Sequence, residues 1–449
     1  MDRIEHPTGA RHEAEYNAAA LAVLDEFSRQ PEVTADQMGN LRMILNQSPL
    51  LFHQFNEATR LGYLRGLAPL TNPNAGGTFH PDDKRIHVSL ASLSTPKSGP
   101  FSSGEATFVL GHELQHAFNA EVQARHDGEF ERAIHAVASS PAPVHDYTPV
   151  LAERLAGNRR DEASAAIAGW NAVVSASIAK TSEATLDEVV KMGGYRVADF
   201  FEERTDSPGT YLLKPNLHLN PDLSIEPTRA NVEAMGKNFF DKSGDKTYLG
   251  FRGNSDYVNY YAAYNVGRIV AVENAHSRSL SDRATPRIAI DMDRLGLSEQ
   301  ILEENGLHLG DATRRMPYFD LSDAPPTRRH FDHTYESHEF RPLAPEGLDE
   351  RARLGRGDVT SGPAAHQQLS PTQDIGAYLD LMLRAGTAGD DVTLRQMTHR
   401  LADLAAGRAS IAQAKADVDE QEFLAAQQQG QERAQQMESQ AAPPRRMHR

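Results

Sequence analysis

Residues 106–121, "ATFVLGHELQHAFNAE", decide how this chain is read. They hold His112, Glu113 and His116 in the order H-E-x-x-H. In a helix His112 and His116 lie one turn apart on the same face, so their rings can converge on one ion. Leu110, Leu114 and Phe118 also recur every four residues and fall roughly opposite the histidines, so one side would pack into a core and the other face a cleft. With 19 His in 449 residues, chance alone yields such a motif about one time in twenty. The surrounding sequence therefore has to carry part of the argument.

Just upstream, "NAGGTFHPDDKRIHVSL" changes period. Pro81, Asp82 and Asp83 mark a turn, and Ile86, Val88 and Leu90 alternate behind it, which predicts a β-hairpin leading into the motif. Ser102, with Glu105 three positions on, predicts a capping box at the start of the motif helix. The first 70 residues read as helical from their three- and four-residue apolar spacing. Further helices are expected near 147–156, 159–181 and 256–278, and "RIAIDM" reads as a short late strand. The expected fold is α+β and predominantly helical, with a small antiparallel edge hairpin before the active-site helix. A main domain is expected over 1–321, a Pro-, Arg- and His-rich linker over 322–372 and a small helical segment over 373–410. A Gln- and Ala-rich tail over 411–449 has too little apolar content for a core and is expected to be disordered or a solvated helix.

Composition narrows the function. A net charge of −16 argues against a nucleic-acid partner, because phosphate contacts need clustered Lys and Arg. No apolar run approaches the roughly 20 residues that cross a bilayer, so no membrane span is expected. The N-terminus lacks the basic start and compact apolar segment of a secretory signal, so synthesis in the cytoplasm with export by another route is the expectation. With no cysteine, thiolate zinc sites, disulfides and a Cys nucleophile are excluded, and no G-x-S-x-G surrounds any Ser run.

One zinc ion suits the motif, since neutral imidazoles are good ligands and no thiolate is needed. Glu113, beside the first ligand, can accept a proton from the water that the metal acidifies and pass it to a leaving amine. Gly111 would leave space beside the ligand. A catalytic zinc usually has three protein ligands. Glu121 lies five residues past His116 and points away. His126 and His135 lack the H-x-x-G-x-x-H spacing, because Asn119 stands where that pattern needs Gly. Glu162 opens the small-residue helix "RRDEASAAIAGWNAVVS", which can pack close to the first, and is the favoured third ligand, with Asp161 the alternative.

On these residues the region from about 70 to 180 resembles gluzincin-type zinc metallopeptidases, which set a Glu from a downstream helix beside the two histidines. The resemblance implies a zincin-like domain hydrolysing peptide bonds, with the hairpin as the edge strand that holds an extended peptide. Ala166 replaces the acid of the thermolysin-like E-x-x-x-D pattern, so support for a ligand histidine must come from elsewhere. The signal-less start and the Gln-rich end "LAAQQQGQERAQQ" are similar to secreted effectors of Xanthomonas-type bacteria, whose C-terminal module engages a type IV secretion channel. That resemblance implies an antibacterial toxin, secretion machinery and a cognate inhibitor as partners, and protein or peptidoglycan peptide as substrate. The alternative is a non-catalytic zincin-like binding protein with a structural metal.

Three other constellations are weighed. Tyr257, Tyr261 and Tyr264 can share a helix face, and a phenol there could donate to a developing oxyanion, although aromatic helix residues more often pack a core. "DMDRLG" lacks the rest of a calcium loop. His330, His333 and His338 could gather as an adventitious metal site, but read rather as a solvated loop.

Overall fold

The computed structural model describes residues 15–70, 76–97, 100–181, 185–277, 286–310 and 313–342. The chain divides into two units, Met1–Ala344 and Pro345–Arg449. The second unit lies outside the described residues, and with it the expected helical segment at 373–410 and the tail at 411–449.

The first unit is mixed α+β, with helices predominating. Three helices open it: α1 (Ala18–Ser28), α2 (Ala35–Gln47) and α3 (Pro49–Arg60). The continuous apolar spacing across α2 and α3 is cut at Ser48–Pro49. Pro49 takes the first helical position, where its missing N–H costs nothing, and the Ser48 hydroxyl accepts from Leu51 N.

The predicted hairpin is present as β2 (Gly77–His80) and β3 (Arg85–Val88), antiparallel, with Ile86 and Val88 buried. A strand the sequence did not announce, β1 (Gly66–Pro69), pairs with β3 in parallel, so the sheet order is β1-β3-β2 and β2 is an outer strand.

Two long helices form the spine: α4 (Gly104–Ala138), which carries the motif, and α5 (Thr148–Thr181). The helices expected at 147–156 and 159–181 are thus one. Gly157 and Asn158 between them are buried, and packing overrides their weak helix propensity. The spine helices meet closely at two glycines. A Cβ on Gly111 would stand 2.9 Å from Ala172 Cβ, and one on Gly169 would stand 2.7 Å from the Phe108 carbonyl oxygen. Gly111 therefore serves the approach of α5; the expected room beside the ligand is not its use. The capping box is also corrected. Ser103 precedes the helix without a side-chain cap bond, and Glu105 turns instead to Arg196 (2.7 Å) and the Tyr195 hydroxyl (2.5 Å).

Beyond α5 come α6 (Leu186–Gly193), a 3₁₀ turn (Gly194–Asp199), the β5–β6 pair (Phe201–Glu203, Tyr211–Leu213), α7 (Arg229–Met235) and a π turn (Gly236–Phe240). A short α8 (Gly244–Thr247) precedes α9 (Tyr257–His276), close to the expected 256–278. The second sheet has the order β4-β7-β8-β9, from His145–Asp146, Ile288–Ile290, Arg315–Asp320 and Thr327–Asp332. "RIAIDM" supplies β7, as expected. The boundary expected after residue 321 falls inside the antiparallel β8–β9 pair, so the stretch read as a linker begins with a strand. Its Arg- and His-rich composition hid the strand because only Phe331 of its six residues is buried.

Three apolar clusters make up the core, and α4 and α5 contribute to each. One joins α1–α3 and the first sheet to the start of α4. Another surrounds Trp170, whose indole N–H donates to the Leu223 carbonyl at 2.9 Å. The third joins α9 and the second sheet to the far ends of the spine, and is pinned by Glu273, which accepts from the Tyr147 hydroxyl (2.6 Å) and pairs with His145. No helix among the described residues is long and apolar enough to cross a membrane.

Candidate metal centre

The histidines stand on α4 and face α5 where the spine helices cross. Leu110 and Leu114 join the first core cluster with Phe118 packed against it, as the four-residue stripe requires. The opposite face does not open directly to solvent. His112, Glu113 and Glu162 are only 8%, 7% and 5% exposed. Burial this deep leaves polar atoms that water cannot satisfy, so each must find a partner within the protein or a bound ion.

Donor atoms of His112, His116 and Glu162 lie within 4.8 Å of one another. His112 Nε2 and His116 Nε2 are 3.0 Å apart. The Glu162 carboxylate approaches them at 3.4 Å and 3.9 Å. Two ligands on one tetrahedral zinc at ordinary bond lengths are separated by about 3.3 Å, so the three donors fit the ion's span. Two nitrogens that face each other have at most one proton to share, and Glu162 Oε2 has only a long 3.4 Å approach from His112 Nε2. A cation between them satisfies all three. Nitrogen and carboxylate donors without thiolate suit zinc.

Asp161 holds a different place from the one expected for the alternative ligand. Its Oδ2 lies 3.0 Å from His116 Nδ1. A carboxylate has no proton to give, so the ring donates there from Nδ1 and turns its Nε2 toward His112 and Glu162. Asn119 fixes Asp161 in turn, donating to Oδ1 at 2.7 Å. This supplies the histidine support that Ala166 cannot. Tyr261, on α9, donates its hydroxyl to Glu162 Oε1 at 2.5 Å and so orients that carboxylate.

Glu113 is held from the strand side. The Phe79 backbone N–H on β2 donates to its Oε2 at 2.7 Å. That N–H points away from β3, so the unpaired edge of β2 faces α4. Gly77 permits the approach, since a Cβ there would stand 2.6 Å from Val109 Cγ1 and 3.1 Å from Glu113 Cγ.

The electrostatics follow from three carboxylates around two imidazoles. Burial works against a charge on His116, but Asp161, Glu162 and Glu113 outweigh it and hold the ring up at about 10. Burial likewise pushes the Glu162 carboxyl up, and the hydrogen bond and charge from the imidazoles outweigh it, holding the group down at about 2. The pocket attracts positive charge.

The chain matches no family model, no curated protein and no solved structure.

The remaining candidates lie elsewhere. Glu121 is exposed, and His135 meets His276 edge to face rather than joining the pair. Tyr257 packs between Phe239 and Phe240, and burial pushes its hydroxyl well up. Asp291 of "DMDRLG" caps a short helix, Met292–Leu295. Among the described residues, His330, His333 and His338 form no metal-capable group. Sequence reasoning missed Asn119 and the Tyr261 bond to Glu162. Asn119 carried a faint signal in its place one turn past His116; Tyr261 carried none beyond its helix face.

Proposed function

We propose that the chain is a zinc-dependent peptide hydrolase of zincin-like design, with His112, His116 and Glu162 holding one ion and Glu113 as base. The observation that carries the reading is the convergence of these three donors within 4.8 Å where α4 meets α5. A zinc ion bound there supplies Lewis acidity, polarising a carbonyl and lowering the pKa of water. Phe79 N–H occupies one oxygen of Glu113 and leaves the other to take a proton and return it to the leaving amine. As the outer strand of its sheet beside Glu113, β2 suits an extended peptide laid along it. The substrate is then protein or the peptide part of peptidoglycan. The Gln-rich stretch at 411–449 adds the proposal that the enzyme is exported as an antibacterial effector.

The burial of His112, Glu113 and Glu162 favours a second reading, a non-catalytic binding protein with a structural metal. Zinc content and hydrolysis of casein and muropeptides, in wild type and Glu113→Gln, separate the two. The expected result is one zinc in both proteins and activity about 10²–10⁴-fold lower in the variant. Zinc in both with activity in neither would select the second reading, and zinc in neither would end both.

A further inference from the structure

A cleft of about 1210 Å³ lies along α9 and approaches the metal centre through residues that neighbour it. Its lining includes Thr78, next to the Phe79 that holds Glu113, and Tyr261, which holds Glu162. From there it runs along the outer face of α9 to the loops at 248–251 and 305–310. Small-ligand sites usually span about 300–1,000 Å³, so this one has room for an extended occupant.

Its lining is unusual in two respects. Tyr248, Phe251, Tyr260, Tyr264 and Tyr335 all border it, and each is between 50% and 68% exposed. Among the described residues, only one other aromatic, Tyr195, is comparably exposed. Aromatic faces left in water at such density mark a binding surface. Among the described residues, the lining is also free of uncommitted charge. Arg268 is its one Lys, Arg, Asp or Glu, and its guanidinium is tied to Asp127 (3.1 Å) and Glu131. On a chain of net charge −16, an uncharged cleft points to an uncharged ligand.

The hydroxyls narrow it further. Those of Tyr248, Tyr260, Tyr264 and Tyr335 carry no hydrogen bond among the described residues, while Phe251 is backed by His338 stacked at 3.7 Å. Tyr260 and Tyr264 stand one turn apart on α9. The occupant must therefore offer a flat apolar face for the rings and a rim of neutral donors and acceptors for the phenols. A pyranose has that form, with C–H bonds on its faces and hydroxyls at its edge. An apolar peptide side chain offers no such rim.

We infer that this cleft binds an uncharged oligosaccharide, so that the substrate is a peptide joined to a glycan. The substrate assignment rests on the hydrolase reading; the sugar site is tested apart from it. Chitotetraose is titrated calorimetrically into the full-length zinc-loaded protein, and likewise into Glu113→Gln, Tyr264→Phe and Tyr260→Ala/Tyr264→Ala. The expected result is saturable millimolar or tighter binding, unchanged in Glu113→Gln, a few-fold weaker in Tyr264→Phe, which loses one hydroxyl, and about tenfold or more weaker in the double variant. Circular dichroism of the double variant, whose two side chains are exposed, checks that the fold persists. No binding, or binding that the double variant leaves intact, overturns the inference. So does tighter binding of an uncharged Phe- and Leu-rich peptide that the sugar cannot displace. Absence of zinc would sink the hydrolase reading while leaving sugar binding intact, whereas absence of sugar binding in an active zinc protein sinks this inference alone.

Discussion

Asp161 is bonded from two sides, by His116 Nδ1 and by Asn119, and touches the proposed ion only through the ring it orients. Such partners fix the tautomer of a ligand histidine, and losing one typically weakens metal binding about 10–100-fold. Asp161→Asn is therefore expected to bind zinc more weakly by that factor, read by competition with a chromogenic chelator. Unchanged affinity would remove Asp161 from the centre. The histidine pair was legible in the sequence because helical geometry alone brings positions four apart together. Glu162 was legible from its place on a small-residue helix. The bonds that complete the site were not: Asn119 meets Asp161 across 42 residues, and Tyr261 meets Glu162 across 99. Those distances are closed by helix packing, which no local pattern encodes.

At the scale of elements, the crossing of α4 and α5 sets how near Glu162 comes to the histidines. Gly169→Ala would drive a methyl against the Phe108 carbonyl, an unyielding backbone atom, at 2.7 Å. A loss of about 1–3 kcal/mol is expected, measured by urea denaturation. Gly39, inside α2, meets nothing within 4 Å, so Gly39→Ala is expected to gain about 0.5–1 kcal/mol in the same assay. Equal effects would mean that the crossing tolerates slack. The hairpin β2–β3 could be read because its turn residues and alternation are local. Its neighbour β1 could not, since a four-residue strand with Gly66 and Pro69 at its ends carries little periodic signal. Strand β9 was masked by the reverse effect, polar side chains on a strand that is mostly outside the core.

For the molecule as a whole, the second sheet carries a pH liability. Glu303 is buried, with its carboxylate accepting the Asp332 N–H, and burial pushes its carboxyl up to about 8 despite that bond. Nearby Glu299 and Asp332 add to the rise. The folded protein thus favours the neutral acid. That contribution is fully present below the ordinary value of 4.5 and is lost as pH rises through about 8. Denaturation midpoints should fall between pH 5 and pH 9, and Glu303→Gln, neutral throughout, should flatten the fall. An equally steep profile in the variant would assign the loss to other groups.

The chain has one tryptophan, and Trp170 sits at zero exposure midway along α5. Its fluorescence is consequently a private channel into the spine. Emission at short wavelength reports that the core around α5 in the first unit is intact and shifts to the red only when that core opens. Tyrosines, by contrast, border the cleft and the metal centre. Selective excitation of the indole thus follows opening of the first unit's core, apart from the tyrosines that border the cleft.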